Sequence, residues 1–426
     1  MSEPDYERGP LRDVVADQVG GGTPSRQVPS YWKGSIPWAS VKDFPETSGV
    51  IVDTEEHISL AGLRSSASNL IPAGTPLVCT RMAVGRASTS RVALAINQDV
   101  KALWPAAGVS AAYLLKLLQY VQPKVEARAV GSTVKGIRIQ DFLGVEAPIA
   151  DKDSQPVIAR VLDTLDTAIH QTEAIIAKLK AVKKGLLHDL LTRGIDANGE
   201  LRLGRAEAPH LYKRSTLGWV PMGWDVETIA RVCSEVIDCP HSTPHFQDQG
   251  VLVARTMHIK DGVFLASLAS RVSERQYRVR ASRLEPQPGD LIFTREAPVG
   301  EAFIIPPSMR ICLGQRVMLL RPKGGRLVAE YLLAQVYSGA VNDRIGSLTS
   351  GTTNPHLNVS EVREFEIPVP PFDEQQVIAD RMKAHETRIR HEVSEHEKLA
   401  LLKSGLMDDL LTGRVRVTPL LEPSTP

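Results

Sequence analysis

Two stretches of the chain carry apolar residues at a regular helical spacing. Between residues 151 and 195, Val161, Leu165, Ala168, Thr172, Ile175, Leu179, Val182 and Leu186 recur at alternating steps of four and three. A 3.5-residue period of this kind marks a helix with one narrow apolar seam, as in a coiled coil. Lys178, Lys180, Lys183 and Lys184 flank the seam and read as its solvated face. From Pro156 to Leu191 such a helix is roughly 54 Å long at 1.5 Å per residue. A second, less regular seam runs through Ile378, Met382, Ile389, Val393, Leu399, Leu402 and Leu406, with His385 and His396 as tolerated polar neighbours. A long helix with one stripe must bury it. The two helices either pair with each other, antiparallel, or each packs on a separate globular core.

The two seams belong to a repeat. Asp153–Ile195 lies over Asp373–Val415 without a gap, 220 positions on, and both copies end alike, in "GLLHDLLT" and "GLMDDLLT". The register continues upstream, where "GSTVKGIRIQDF" from Gly131 faces "GTTNPHLNVSEV" from Gly351. With small gaps, "CTRMAVG" from Cys79 resembles "FTREAPVG" from Phe293, and "NQDVKAL" from Asn97 resembles "GQRVMLL" from Gly314. The chain is thus a tandem duplication of a globular unit followed by a long helix. Two copies are too few for a solenoid and suit a pseudo-two-fold pair.

Ahead of each helix the pattern mixes short β-like runs ("TPLVCT", "DLIFTR", "RICLGQRVMLL") with one shorter helix ("VSAAYLLKLLQYV", "LVAEYLLAQVYS"). The expected fold is α+β: two pseudo-symmetric globular domains and two long antiparallel coiled-coil helices. The expected divisions are a first globular domain (1–150), a central helix (151–195), an aperiodic linker (196–217), a second globular domain (218–370), a C-terminal helix (371–417) and a disordered Pro-rich tail (418–426).

Composition narrows the class. With 42% hydrophobic and 23% charged residues, the chain reads as an ordinary globular protein. Cys79, Cys233, Cys239 and Cys312 form no C-x-x-C pair, which argues against a redox motif or a zinc ribbon. No segment reaches the roughly 20 apolar residues of a membrane helix, and the N-terminus has no apolar run, so a cytoplasmic protein without membrane partners is expected. The formal net charge of +1 neither announces nor excludes nucleic-acid binding, because local patches decide that.

Catalytic signatures are missing. There is no G-x-x-x-x-G-K-[ST] and no Rossmann glycine pattern. "NPH" at Asn354 departs from the Asn-Pro-Pro-aromatic motif of DNA amino-methyltransferases at its third position. "CPHSTPH", with Cys239, His241 and His245, is too tight for a zinc finger and lacks a distant ligand pair. Neither a catalytic residue nor a metal site is expected.

Binding chemistry remains. "TRMAVGRASTSR" carries Arg81, Arg86 and Arg91 without an acid, and "RVSERQYRVRASR" carries five arginines and one glutamate. Arginine's planar fork fits phosphate or the O6/N7 edge of guanine. Hydroxyl, amide and imidazole groups add contacts to phosphates and bases. In the first copy the candidate DNA-binding residues are therefore Thr23, Ser25 and Arg26, the three arginines just named, and Lys135. In the second they are His241, Ser242 and Thr243, then Arg295 and Arg316, then Thr352, Thr353, Asn354 and His356. Any one such loop is weak; the case rests on equivalent loops in both copies.

At this point the chain resembles the specificity subunit of type I restriction-modification systems, from about Leu11 to Val417. The most specific parts are "EIPVPPFDEQQVIADRM" leading to "LKSGLMDDLLTGRVRV", the first-copy ending "LLHDLLTRGID", and the loops "GGTPSR...YWKGSIPWASVKDF" and "VIDCPHSTPHF". The first copy has "DSQP" where the second has "DEQQ", and Pro156 suits a first helical turn. The resemblance implies two target-recognition domains, each reading half of a bipartite site in double-stranded DNA. It implies that the helices hold the halves at fixed spacing and dock two modification (methyltransferase) subunits, which restriction subunits join. Leu186, Leu187, Leu190 and Leu191, with Leu406, Met407, Leu410 and Leu411, would be the partner-facing helix ends. The chain itself would be non-catalytic and hold no cofactor, with S-adenosylmethionine, ATP and Mg2+ in the partners. The rival readings are a stand-alone DNA-binding protein, an adaptor that binds proteins only, and an enzyme acting alone.

Overall fold

The computed structural model describes residues 6–45, 49–131, 134–350 and 355–417. The loop residues Thr352, Thr353 and Asn354 and the tail 418–426 lie outside the described residues. The chain is α+β and packs as two units. Residues 1–175 and 392–426 form the first, and residues 176–391 the second. Each long helix, α2 (Ser154–Thr192) and α4 (Phe372–Thr412), contributes one half to each unit. Among the described residues no helix is long and apolar enough to cross a membrane.

Both units follow one plan. In the first, β1 (Val15–Gly20), β2 (Leu77–Cys79), β3 (Ala87–Ser90) and β4 (Val100–Pro105) form an antiparallel sheet in the order β1-β4-β2-β3, with Val50–Ile51 parallel on the edge. In the second, β5 (Cys233–Asp238), β6 (Leu291–Thr294), β7 (Ala302–Ile304) and β8 (Val317–Pro322) repeat it as β5-β8-β6-β7. A second sheet in each unit is built on a parallel pair: Ile36–Ala39 with Leu94–Ile96, and Val251–Ala254 with Ile311–Leu313. The central strands β2 and β6 are buried at every residue, which explains why they read as unbroken apolar runs rather than alternating ones.

One helix covers the main sheet of each unit. On α1 (Ala111–Ala127), Leu114, Leu117, Leu118, Val121 and Val125 face a core that includes Val78 and Leu103. On α3 (Ala329–Ser338), Tyr331, Leu332 and Val336 face Leu291, Phe293 and Leu320. A buried glutamine ties this helix to the long one. Gln155 Oε1 accepts from the Ser110 N–H at the head of α1, 3.1 Å, while its Nε2 donates to the Ala150 carbonyl, 3.0 Å. Its repeat partner Gln375 accepts from Val328 N at the head of α3, 3.0 Å, and donates to the carbonyls of Pro370 and Arg326. A helix start leaves N–H groups unpaired; here the amide supplies the acceptor. Asp151 caps α2 through Ser154 N, 2.9 Å, and Pro156 falls in the first turn, where its missing N–H removes no intrahelical bond.

Within each unit the two helix halves run antiparallel. In the first, Glu173 meets His396 at 3.0 Å and Asp166 meets Lys403 at 2.6 Å. In the second, Lys183 pairs with Glu386. The last pair is the repeat image of Asp166–Lys403, so both units use the same register.

The buried stripe is rotated from the seam read in the sequence. Ile158, Leu162, Asp166, Ile169 and Leu179 are buried on α2, whereas Ile175 and Val182 are 42% and 45% exposed. Asp166 is a polar residue brought inside by two lysines: Lys116, on α1, reaches it at 2.5 Å, and Lys403 neutralises it from α4. The segment 196–217 also differs from an aperiodic linker. Arg202 bonds both carboxylate oxygens of Glu374, and Tyr212–Ser215 pairs with Gly218–Pro221 as a hairpin.

The helix ends turn inward. Leu190 and Leu191 are buried in the second unit's core, and Leu410 and Leu411 in the first unit's. Leu186, Leu187, Leu406 and Met407 pack half-buried beside them. The buried leucines thus belong to each unit's own core. A Cβ on Gly185 or Gly405 would meet nothing within 4 Å.

Candidate nucleic-acid interface

Four segments converge at equivalent places in the two units. In the first unit they are the turn after β1 (Gly20–Arg26), the turn after β2 (Thr80–Gly85), the turn before β4 (Asn97–Asp99), and the segment around Lys135. The glycine run is explained by its neighbours: a Cβ on Gly21 would stand 1.8 Å from the Ile96 carbonyl oxygen. Thr23 Oγ1 donates to Gln98 Oε1 at 2.6 Å. Thr80 N and Oγ1 donate to the Asp99 carbonyl, at 2.8 and 3.1 Å. The last segment is tied in by Met82 N to the Lys135 carbonyl, 2.9 Å, and Ile137 N to the Thr80 carbonyl, 2.9 Å.

The second unit repeats this with other residues. Thr243 Oγ1 donates to Gln315 Oε1, 3.3 Å, and Gln315 Nε2 donates to the His241 carbonyl, 2.6 Å. Leu357 N donates to the Arg295 carbonyl, 2.8 Å, which ties the segment carrying His356 to the turn after β6. The turn Cys239–Thr243 is pinned from below by Arg280, whose guanidinium donates to the carbonyls of Leu313, Ser242 and Pro240. His241, Glu296, Gln315 and Arg316 line a polar cavity of about 220 Å³.

The arginines take different roles. Arg81 is exposed, with Nη1 3.3 Å from Asp99 Oδ1. Arg316 is exposed, with Nε 3.0 Å from Glu296 Oε2. Arg295 occupies the repeat position of Arg81 but is 8% exposed and turned inward; it donates to the Leu357 carbonyl, 3.1 Å, and sits 3.2 Å from Asp238. Arg26 is held by both oxygens of Glu56 and stacks 3.5 Å over Trp32. Arg86 is half-buried and directed at the Phe44 carbonyl. Arg91, Lys135, Ser25, Thr23, Ser242, Thr243 and His356 are exposed, and His241 faces Asp238 at 3.2 Å. Cys239 lies buried under its turn, its thiol pushed up by burial.

Sequence reasoning missed Gln98, Gln315, Asp99 and Glu296 as members of these clusters, and placed Arg280 in an exposed basic run. The signal for the glutamines was present: "NQD" and "GQR" align in the repeat, as do Thr23-Pro24 and Thr243-Pro244.

This architecture recurs in known proteins. The sequence profile of the type I restriction modification DNA specificity domain matches residues 4–181 and 270–400, more than half of the chain. The chain belongs to that family. It is 21% identical over 436 residues to the MjaIX specificity subunit of Methanocaldococcus jannaschii, covering 98% of this chain and 95% of that one. The MjaVIII subunit of the same organism is 22% identical over 313 residues, covering 72% and 71%. In fold, the chain is similar to the crystal structure of a type I restriction-modification S subunit from M. genitalium, with a TM-score of 0.61 at 14% identity over 96% of this chain and 97% of that one. A chain solved in work on complex assembly and conformational transition of the type I R-M system gives a TM-score of 0.57 at 16% identity, over 97% and 100%.

Proposed function

We propose that this chain is the DNA sequence-specificity subunit of a type I restriction-modification complex and is itself non-catalytic. Each unit's loop cluster reads one half of a bipartite site in double-stranded DNA. The helices set the spacer and dock two modification subunits, which restriction subunits join. S-adenosylmethionine, ATP and Mg2+ belong to those partners.

The observation that carries this reading is the recurrence of one loop scaffold with two different sets of side chains. Thr23–Gln98 and Thr243–Gln315 are the same pair in the same place, but the charged groups around them differ. One scaffold with unlike side chains suits two unlike half-sites, hence an asymmetric site. For the partners, apolar surface remains uncovered on the long helices: Ile175, Leu401 and Leu402 in the first unit, Val182 and Val377 in the second. These are better placed to meet another subunit than the inward-turned Leu190, Leu191, Leu410 and Leu411.

The test is to map methylated bases in DNA from cells that express the full chain with a modification subunit of its host. The expected outcome is one asymmetric motif with two defined halves and an undefined spacer. Four residues inserted after Lys180 add roughly 6 Å of helix and should lengthen the spacer by one or two base pairs while leaving both halves unchanged. Methylation without a bipartite motif, or methylation or cleavage by the purified chain alone, would overturn the reading.

A further inference from the structure

In each loop cluster one ion pair joins the turn after β2 or β6 to the turn before β4 or β8, and its polarity is reversed between the two. In the first unit the arginine is on the turn after β2 and the carboxylate is on the turn before β4: Arg81 and Asp99, 3.3 Å. In the second unit the carboxylate is on the turn after β6 and the arginine is on the turn before β8: Glu296 and Arg316, 3.0 Å. In both cases the arginine side chain is the exposed member, at 55% and 60%, and the carboxylate is the more buried one, at 12% and 34%.

Stability does not account for this arrangement, because half-exposed ion pairs contribute little. Orientation does. A carboxylate against one edge of a guanidinium fixes a long, rotamer-rich side chain and leaves its other N–H groups directed outward. Among the described residues, Arg81 meets its carboxylate only through Nη1 and Arg316 only through Nε, which leaves the other edge of each fork for a ligand. An edge of two parallel N–H donors matches the O6 and N7 acceptors that guanine presents in the major groove.

Two further features agree. Non-glycine residues with positive φ among the described residues are Met82 (64°), Asp261 (51°) and Arg316 (67°). Two of these three lie in the paired turns, one being Arg316 and the other the neighbour of Arg81. Such backbone is costly and accumulates at binding sites. The second-unit pair also borders the polar cavity lined by His241 and Gln315.

We propose that Arg81 and Arg316 are the guanine-reading residues of the first and second units, and that Asp99 and Glu296 are the positioning residues that aim them. This rests on the reading that these loops meet DNA. It separates the arginines by role: Arg295 is held in internal contacts, Arg26 has its fork occupied by both oxygens of Glu56, and Arg91 and Lys135 are left for phosphates.

The experiment uses the full chain with a modification subunit of its host and a pool of randomised duplex DNA. Bound sequences and salt dependence are measured for the parent, Arg316→Ala, Glu296→Gln, Arg81→Ala and Asp99→Asn. Glu296→Gln and Arg316→Ala should relax the same single G·C position, in one half-site, by about tenfold in discrimination. Asp99→Asn and Arg81→Ala should do so at one position of the other half-site. The Glu296→Gln slope of affinity against salt should match that of the parent, because no phosphate contact is lost. Asp99 is the more buried acid, so thermal melting accompanies its variant, and the less buried Glu296 carries the test if Asp99→Asn does not fold. The proposal is overturned if Glu296→Gln leaves every position as selective as before, weakens all sequences equally, or relaxes a position other than the one Arg316→Ala relaxes. If the parent binds the pool without sequence preference, the broader reading of these loops falls with it.

Discussion

Asp166 holds two lysines at once: Lys116 Nζ stands 2.5 Å from its Oδ2 and Lys403 Nζ 2.6 Å from its Oδ1. Lys116 is almost fully buried, so it depends on this carboxylate, with the exposed Asp163 as its second partner at 2.6 Å. Removing one member of a buried ion group leaves an uncompensated charge. Asp166→Ala should therefore destabilise the first unit by about 3 kcal/mol, read as an earlier urea transition. Lys403→Met, which leaves Asp166 with Lys116, should cost clearly less. Equal losses in the two variants would mean that Lys116 does not rely on Asp166.

The glutamine ties predict a matched pair of effects. Gln155→Ala and Gln375→Ala each strand a backbone N–H at the head of a helix and a carbonyl beneath it. Each should lower stability by about 1–3 kcal/mol, and hydrogen exchange should show the loss in the first unit for one variant and in the second for the other. The DNA sequence read should not change, since neither glutamine is in a loop cluster.

Glycines with opposite surroundings should respond with opposite signs. Gly21→Ala places a Cβ against the Ile96 carbonyl, forces the Thr23 turn to move, and should abolish reading of one half-site while sparing the other. Gly185 and Gly405 lie inside helices with open space around them. Gly185→Ala or Gly405→Ala should raise the stability of the isolated chain by about 0.5–1 kcal/mol. A fall in stability in thermal melts would show that these helix faces are occupied.

Acid should act visibly on Arg26. Its hydrogen bonds hold the Glu56 carboxyl below its usual value of 4.5. A depressed folded-state value means that the contribution is present above pH 4.5 and is lost as pH falls through the lowered value. Arg26 stacks on Trp32, so indole emission should step in that acid range, and the step should vanish in Glu56→Gln. An unchanged step in that variant would assign the change to another group.

Much of the fold was legible because it is written many times over. The helical period is carried by eight residues in the first helix, from Val161 to Leu186, and the duplication repeats it. The face of the helix was not, since residue type alone marks Asp166 as exposed, and only the two lysines from elsewhere in the chain bring it inside. The loops were located by the repeat, but roles within them were not. Arg81 and Arg295 follow a threonine in the same turn, yet Asp238 and the Leu357 carbonyl draw the second inward. Such partners lie dozens of residues away and leave no local pattern.

The way each long helix is divided between units bears on how the chain is made. The second unit is contiguous, residues 176–391, so all of it has been synthesised before residues 392–417 follow. The first unit starts ahead of the second in the chain, but its core takes Leu410, Leu411 and Val417 from beyond the second unit. The unit begun first is thus the last that can close, and its apolar interior is covered only after the whole of the second unit has been made.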